Sequence, residues 1–138
     1  MDRIWLLAAL FLLNTVSVEL LTQDQRDLIL NYHNEKRHSV RPPASNMKDM
    51  VYDENLEYLA QKWVDRCINE HPPEDDVEYK KSGQNIGVAT EANQTKSITK
   101  VLDIWYKEIE NYNYDENMCF GVCQHYTQVN VSRSFLYR

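Results

Sequence analysis

The run Val101-Leu102-Asp103-Ile104-Trp105-Tyr106-Lys107-Glu108-Ile109-Glu110-Asn111-Tyr112 continues through Asn113-Tyr114-Asp115-Glu116-Asn117-Met118-Cys119-Phe120-Gly121-Val122-Cys123-Gln124 to His125-Tyr126-Thr127-Gln128-Val129-Asn130-Val131. Its pattern changes twice. Val101, Ile104, Trp105, Ile109 and Tyr112 recur at helical spacing, so a helix is expected from about Ser97 to Tyr112. Glu108 lies seven residues after Val101 and three after Trp105, which puts a carboxylate on the inward face. Residues 111–124 are polar and aromatic and read as a loop. The final segment alternates and reads as a strand. Of its two faces, the set His125, Thr127, Val129 and Val131 is the more apolar, so His125 is expected to point inward.

Upstream, Leu56, Leu59, Ala60, Trp63, Val64 and Cys67 follow helical spacing, with Asp53 as the expected N-cap. Pro72-Pro73 is expected to end this helix, and His71, four residues after Cys67, to continue its buried stripe. Thr22-Gln23-Asp24-Gln25 has the form of a capping box and starts a helix over about residues 23–37, with Leu28, Ile29 and Tyr32 on its apolar face. Residues 41–45 are a Pro-rich breaker and residues 47–52 an extended lead-in. Asn85-Ile86-Gly87-Val88 reads as a short strand. Helices separated by short strands predict a layered α+β or α/β domain.

The chain has 138 residues, room for one domain. Its net charge is −6 and it lacks a basic run, which excludes nucleic acid as a partner, since phosphate neutralisation supplies most of that affinity. With 3 glycines there is no Gly-rich phosphate loop. No serine sits in a nucleophile elbow. Residues 1–17 read as a secretory signal peptide: a short n-region, an apolar run of ten at residues 4–13, and Thr15-Val16-Ser17 before the cleavage point. That run is too short for a transmembrane segment. Residues 18–138 form the mature domain, expected to be extracellular. Secretion makes disulfides among Cys67, Cys119 and Cys123 expected; the odd count of 3 leaves one thiol over. Cys119 and Cys123 can close a small loop, or either can pair with Cys67, and a leftover thiol allows a disulfide-linked dimer. Asn93 and Asn130 head two glycosylation sequons.

His71, Glu108 and His125 are thus aimed inward from three elements. Two imidazoles and a carboxylate are an adequate donor set for a divalent metal and could activate water. Equally, Glu108 can hydrogen-bond one of the histidines and simply tie elements together, because a buried carboxylate must be paired. His33, flanked by Asn34 and Arg37, and His38 read as packed or surface residues. Tyr112, Tyr114 and Phe120 either pack their loop on the core or offer a lipid-contacting surface.

The segment from Trp105 to Tyr114, the Cys119–Cys123 pair and His125-Tyr126-Thr127-Gln128 together resemble the CAP superfamily, which includes cysteine-rich secretory proteins, antigen 5 venom allergens and pathogenesis-related proteins. Tyr32-His33-Asn34-Glu35-Lys36-Arg37, residues 46–63 and Gly83-Gln84-Asn85-Ile86-Gly87 match further family segments in order. The resemblance covers about residues 21–129, and its flavour is venom-allergen-like. It implies an α+β fold, a CAP-type α-β-α sandwich. It also implies a cavity tetrad of two His and two Glu that in some members binds Zn²⁺ or Mg²⁺. His71, Glu108 and His125 match three tetrad positions; the fourth falls on Gln84, whose amide keeps an acceptor but loses the charge. Gln124 stands where the family usually has Gly. The family's later strands and cysteines have no counterpart here, so the sandwich is expected to lack its last strands, as in a truncated product that might be non-functional. The implied function is non-enzymatic and requires no cofactor: binding of a sterol or other lipid, or of a host or cell-surface protein, with modulation of immune or extracellular signalling. Residues 112–120 resemble the region linked to sterol binding. The alternative is a divalent-metal-dependent hydrolase built on the His/Glu cavity.

Overall fold

Thr22 starts the first helix as the sequence requires. Its hydroxyl accepts from the Gln25 N–H, and the Gln25 side chain accepts from the Thr22 N–H, a complete capping box. The computed structural model describes residues 21–130; the expected signal peptide and residues 131–138 lie outside the described residues. Helix α1 spans Gln23–His38, α2 Glu54–Val64, α3 Gln94–Lys107 and α4 Gln124–Asn130. A 3₁₀ turn, Glu108–Asn111, leads from α3 into a two-stranded antiparallel hairpin, β1 (Tyr112–Asn113) and β2 (Met118–Cys119). Helices α1, α3 and α4 pack on one another. Their shared core holds Leu102, Trp105, Tyr126 and Val129. The fold is α+β with helices predominating. Among the described residues, no helix is long and apolar enough to cross a membrane.

Several expectations are corrected. Residues 125–131 do not form a strand; residues 124–130 are helix α4. Tyr126 and Val129, three apart, are its buried residues, so a short run that alternates also fits a helix. Long-range capping tips the balance. Glu108 Oε2 accepts from the His125 and Tyr126 N–H groups at 2.9 and 3.2 Å, at the N-terminal end. At the other end Arg37 donates from Nη1 to the Val129 carbonyl at 2.8 Å. Both partners come from other helices or turns, and nothing within residues 124–130 encodes them.

Residues 85–88 are not part of a sheet. Their polar groups bond to helices instead: Trp105 Nε1 donates to the Ile86 carbonyl, and Asn85 Nδ2 to the His125 carbonyl. Glycine permits the approach, since a Cβ on Gly87 would stand 2.6 Å from Val101 Cγ1.

Helix α2 has its expected Asp53 cap but ends at Val64, well before Pro72. Short 3₁₀-type bonds, Arg66 N–H to Trp63 and Cys67 N–H to Val64, tighten its end, and Cys67 takes a left-handed φ of 55°. The chain therefore leaves the helix axis, and Cys67 and His71 are exposed rather than buried. Trp63 and Tyr79 pack edge to face beneath α2, with ring centroids 5.4 Å apart.

In α1 the buried residues are Gln25, His33 and Arg37, while Leu28, Ile29 and Tyr32 are half-buried. Hydrogen bonding explains this polar face. Arg37 donates to the Lys48 carbonyl from Nε and Nη2, and Asn34 exchanges two bonds with the Met50 backbone, fixing the extended lead-in.

Candidate functional site

The four tetrad positions form two pairs. His71 Nδ1 meets Gln84 Oε1 at 3.2 Å on the exposed side of the 70–84 loop. Because the amide oxygen only accepts, Nδ1 carries the proton. Glu108 and His125 form the second pair: Nδ1 of His125 lies 2.5 Å from Glu108 Oε1. The imidazole stacks on Trp105, with centroids 5.9 Å apart and planes 15° from parallel. The pairs lie on facing segments, since the neighbours of Gln84 both reach α4: Gly83 lies against the Gln128 side chain, and Asn85 bonds the His125 carbonyl. The inward aim of Glu108 and His125 thus holds, and that of His71 does not.

The donor set does not fit a metal. Both Glu108 oxygens are engaged, Oε1 by the His125 ring and Oε2 by two backbone N–H groups. Gln84 contributes no charge. Among the described residues, no three His, Cys, Asp or Glu side chains are grouped to hold an ion. Glu108 ties α4 to the end of α3, the tethering role weighed above for a paired carboxylate.

The aromatic loop divides. Tyr112 is half-buried, its ring 5.7 Å from that of Tyr126, whereas Tyr114 and Phe120 are 61% and 64% exposed. Met118 and Val122 are exposed beside them. The hairpin is braced by the Tyr112 hydroxyl on Asn117 Oδ1 and by a Cys119–Cys123 disulfide. Cys67 is left as an exposed free thiol. Of the two sequons, Asn93 is exposed and caps α3 by accepting from the Lys96 N–H. Asn130 is half-buried, and its Nδ2 donates to the Tyr126 carbonyl.

The sequence gave no sign of the largest cavity. A cleft of about 430 Å³ opens where α2 stands off from α1 and α3, closed on one side by residues 87–89. This lies within the usual range of about 300–1,000 Å³ for small-molecule sites. Ile29, Ala60, Val64, Ile98, Val101 and Trp105 make its wall predominantly apolar. At its polar end Glu57 accepts two bonds from Arg26, at 2.8 and 3.0 Å, and one from the Tyr52 hydroxyl. The Arg26 bonds hold the Glu57 carboxyl below the usual carboxylate range. Burial, and then the Glu57 charge, push the Tyr52 hydroxyl up to about 12. His33, buried in the wall, donates from Nδ1 to the Ile29 carbonyl, and burial lowers its proton affinity. The Arg26–Glu57 partnership joins α1 to α2 across 31 positions of sequence, which no local pattern could reveal.

The profile of the Cysteine-rich secretory protein family, CAP, matches residues 30–132. The chain belongs to the CAP family. Human peptidase inhibitor 15 is 39% identical over 119 residues, covering 79% of this chain and 45% of that protein. Venom allergen 5 of Polistes dominula is 33% identical over 124 residues, covering 78% and 55%. The chain therefore spans about half the length of these curated CAP relatives. Among solved structures, the venom allergen-like protein 4 of Schistosoma mansoni matches with a TM-score of 0.68 at 23% identity, over 83% of this chain and 77% of that one. That likeness establishes the CAP fold. The resemblance carried by Tyr32–Arg37, Gly83–Gly87 and the 105–128 segment is thereby confirmed. In this CAP chain each of those segments makes the contacts that join α1, the 83–88 segment and α4.

Proposed function

We propose that this CAP protein is secreted and non-enzymatic, and that it acts by holding an apolar small molecule of the lipid or sterol class in the cleft between α1, α2 and α3. The cleft carries the reading: it is large enough for a ligand, predominantly apolar, and has polar groups gathered at one end. The engaged oxygens of Glu108 weigh against a metal-dependent hydrolase, because a water-activating site needs a free donor position. Secretion draws support from the apolar leader, the disulfide and the family's secretory members. On this reading Asn93 carries the glycan and Asn130 does not, so Asn93→Gln should abolish the mass shift produced by a glycosidase.

The exposed Tyr114 and Phe120 favour a second reading, in which the hairpin meets an extracellular protein or a membrane sterol. Two variants separate them. Ile98→Trp narrows the cleft, and Tyr114→Ala with Phe120→Ala strips the hairpin. Sterol and fatty-chain probe binding lost only in Ile98→Trp supports the cleft. Loss only in the hairpin variant moves the site there. No binding to the unmodified protein overturns both lipid readings.

A further inference from the structure

The polar end of the cleft is asymmetric in charge. Among the described residues lining it, Glu57 is the ionised side chain, and the other polar groups, His33, Gln61, Gln94 and Ser97, are neutral. The balancing cation, Arg26, is not part of the lining. Its guanidinium grips Glu57 through two bonds, Nε to Oε2 and Nη2 to Oε1. The Tyr52 hydroxyl takes a further position on Oε2. A carboxylate has roughly four acceptor positions, so Oε1 keeps room for one more donor.

From this geometry we propose that the cleft selects an uncharged amphiphile, an aliphatic chain or sterol ending in a hydroxyl group, and rejects the corresponding fatty acid, with Glu57 as the selecting residue. The inference rests on the reading of the cleft as a ligand site. A hydroxyl can donate to Glu57 Oε1 and complete its shell. A fatty-acid carboxylate seated there would face another carboxylate, with no cation on the lining to pair with it. An unpaired buried charge is among the costliest groups to bind.

The test is displacement of an uncharged fluorescent probe, N-phenyl-1-naphthylamine, from the purified secreted protein. Dodecanol and dodecanoate are compared at a pH of about 8, where the fatty-acid and Glu57 carboxyls are both ionised. Dodecanol is expected to displace the probe at least about tenfold more effectively, the scale of one uncompensated charge contact in a partly screened site. Glu57→Gln should reverse the order, because Arg26 then lacks its carboxylate and attracts the acid. Tyr52→Phe, which keeps the charge, should leave the acid rejected. Circular dichroism confirms that each variant is folded. Equal displacement by acid and alcohol, or an unchanged ratio in Glu57→Gln, overturns the selectivity and leaves the binding reading intact. A reversed order in Tyr52→Phe also overturns it, since charge would then not be the selector. Failure of the probe to bind at all instead overturns the binding reading.

Discussion

At the scale of the residue, Glu108 shows how one side chain can be read correctly in direction and wrongly in chemistry. Helical spacing after Trp105 places its carboxylate inward, and the carboxylate is inward. The position of its donors, however, depends on α4 arriving across the hairpin, and that is not written near residue 108. Its oxygens are filled by the His125 ring and by two N–H groups of the first turn of α4. Glu108→Ala should therefore destabilise the protein by about 2–4 kcal/mol, combining a lost helix cap with a lost charged hydrogen bond. Denaturant unfolding measures this, and added Zn²⁺ should leave the unmodified protein's midpoint in place. His33 gives a pH dependence. Burial lowers its proton affinity, so the unfolded chain binds that proton more readily. Its contribution to stability is complete above about pH 6.5 and shrinks as the pH falls below that value. The melting temperature should drop more steeply below about pH 6 in the unmodified protein than in His33→Gln.

At the scale of the element, starts were easier to read than ends. Thr22 and Asp53 cap α1 and α2 as their sequences indicate, because a cap is a local hydrogen bond. The end of α2 was misplaced because Pro72 looks decisive, whereas the left-handed turn at Cys67 ends the helix first and carries His71 out to solvent. Helix α4 was misread as a strand because seven residues with Thr and Val fit either period, and the caps that decide the matter come from Arg37 and Glu108. The 85–88 segment was misread for the same reason: its partners are the side chain of Trp105 and the backbone of α4, not a neighbouring strand. Gly87 is the point where that segment touches α3. Gly87→Ala would place its methyl 2.6 Å from Val101 Cγ1. It should cost about 1–3 kcal/mol by overpacking, and Val101→Ala in the same chain should recover part of the loss. Equilibrium unfolding of the single and double variants reads this coupling.

At the scale of the whole molecule, the family was legible because its segments stand in order along the chain, and the segments are where α1, the 83–88 strap and α4 touch. The cleft was not legible, since it is a gap between elements and no residue pattern marks a gap. It exists because α2 packs on its own loop through Trp63 and Tyr79 and reaches α1 through the Arg26–Glu57 pair rather than through close helix packing. Binding there is the central claim, and Trp105 in the cleft wall reports on it directly. In a Trp63→Phe background, Trp105 is the single tryptophan among the described residues. The decisive measurement is its emission during titration of the secreted protein with dodecanol. A saturable shift at one ligand per chain, absent in Ile98→Trp, is the predicted result. Emission that stays constant while the protein remains folded would contradict the account.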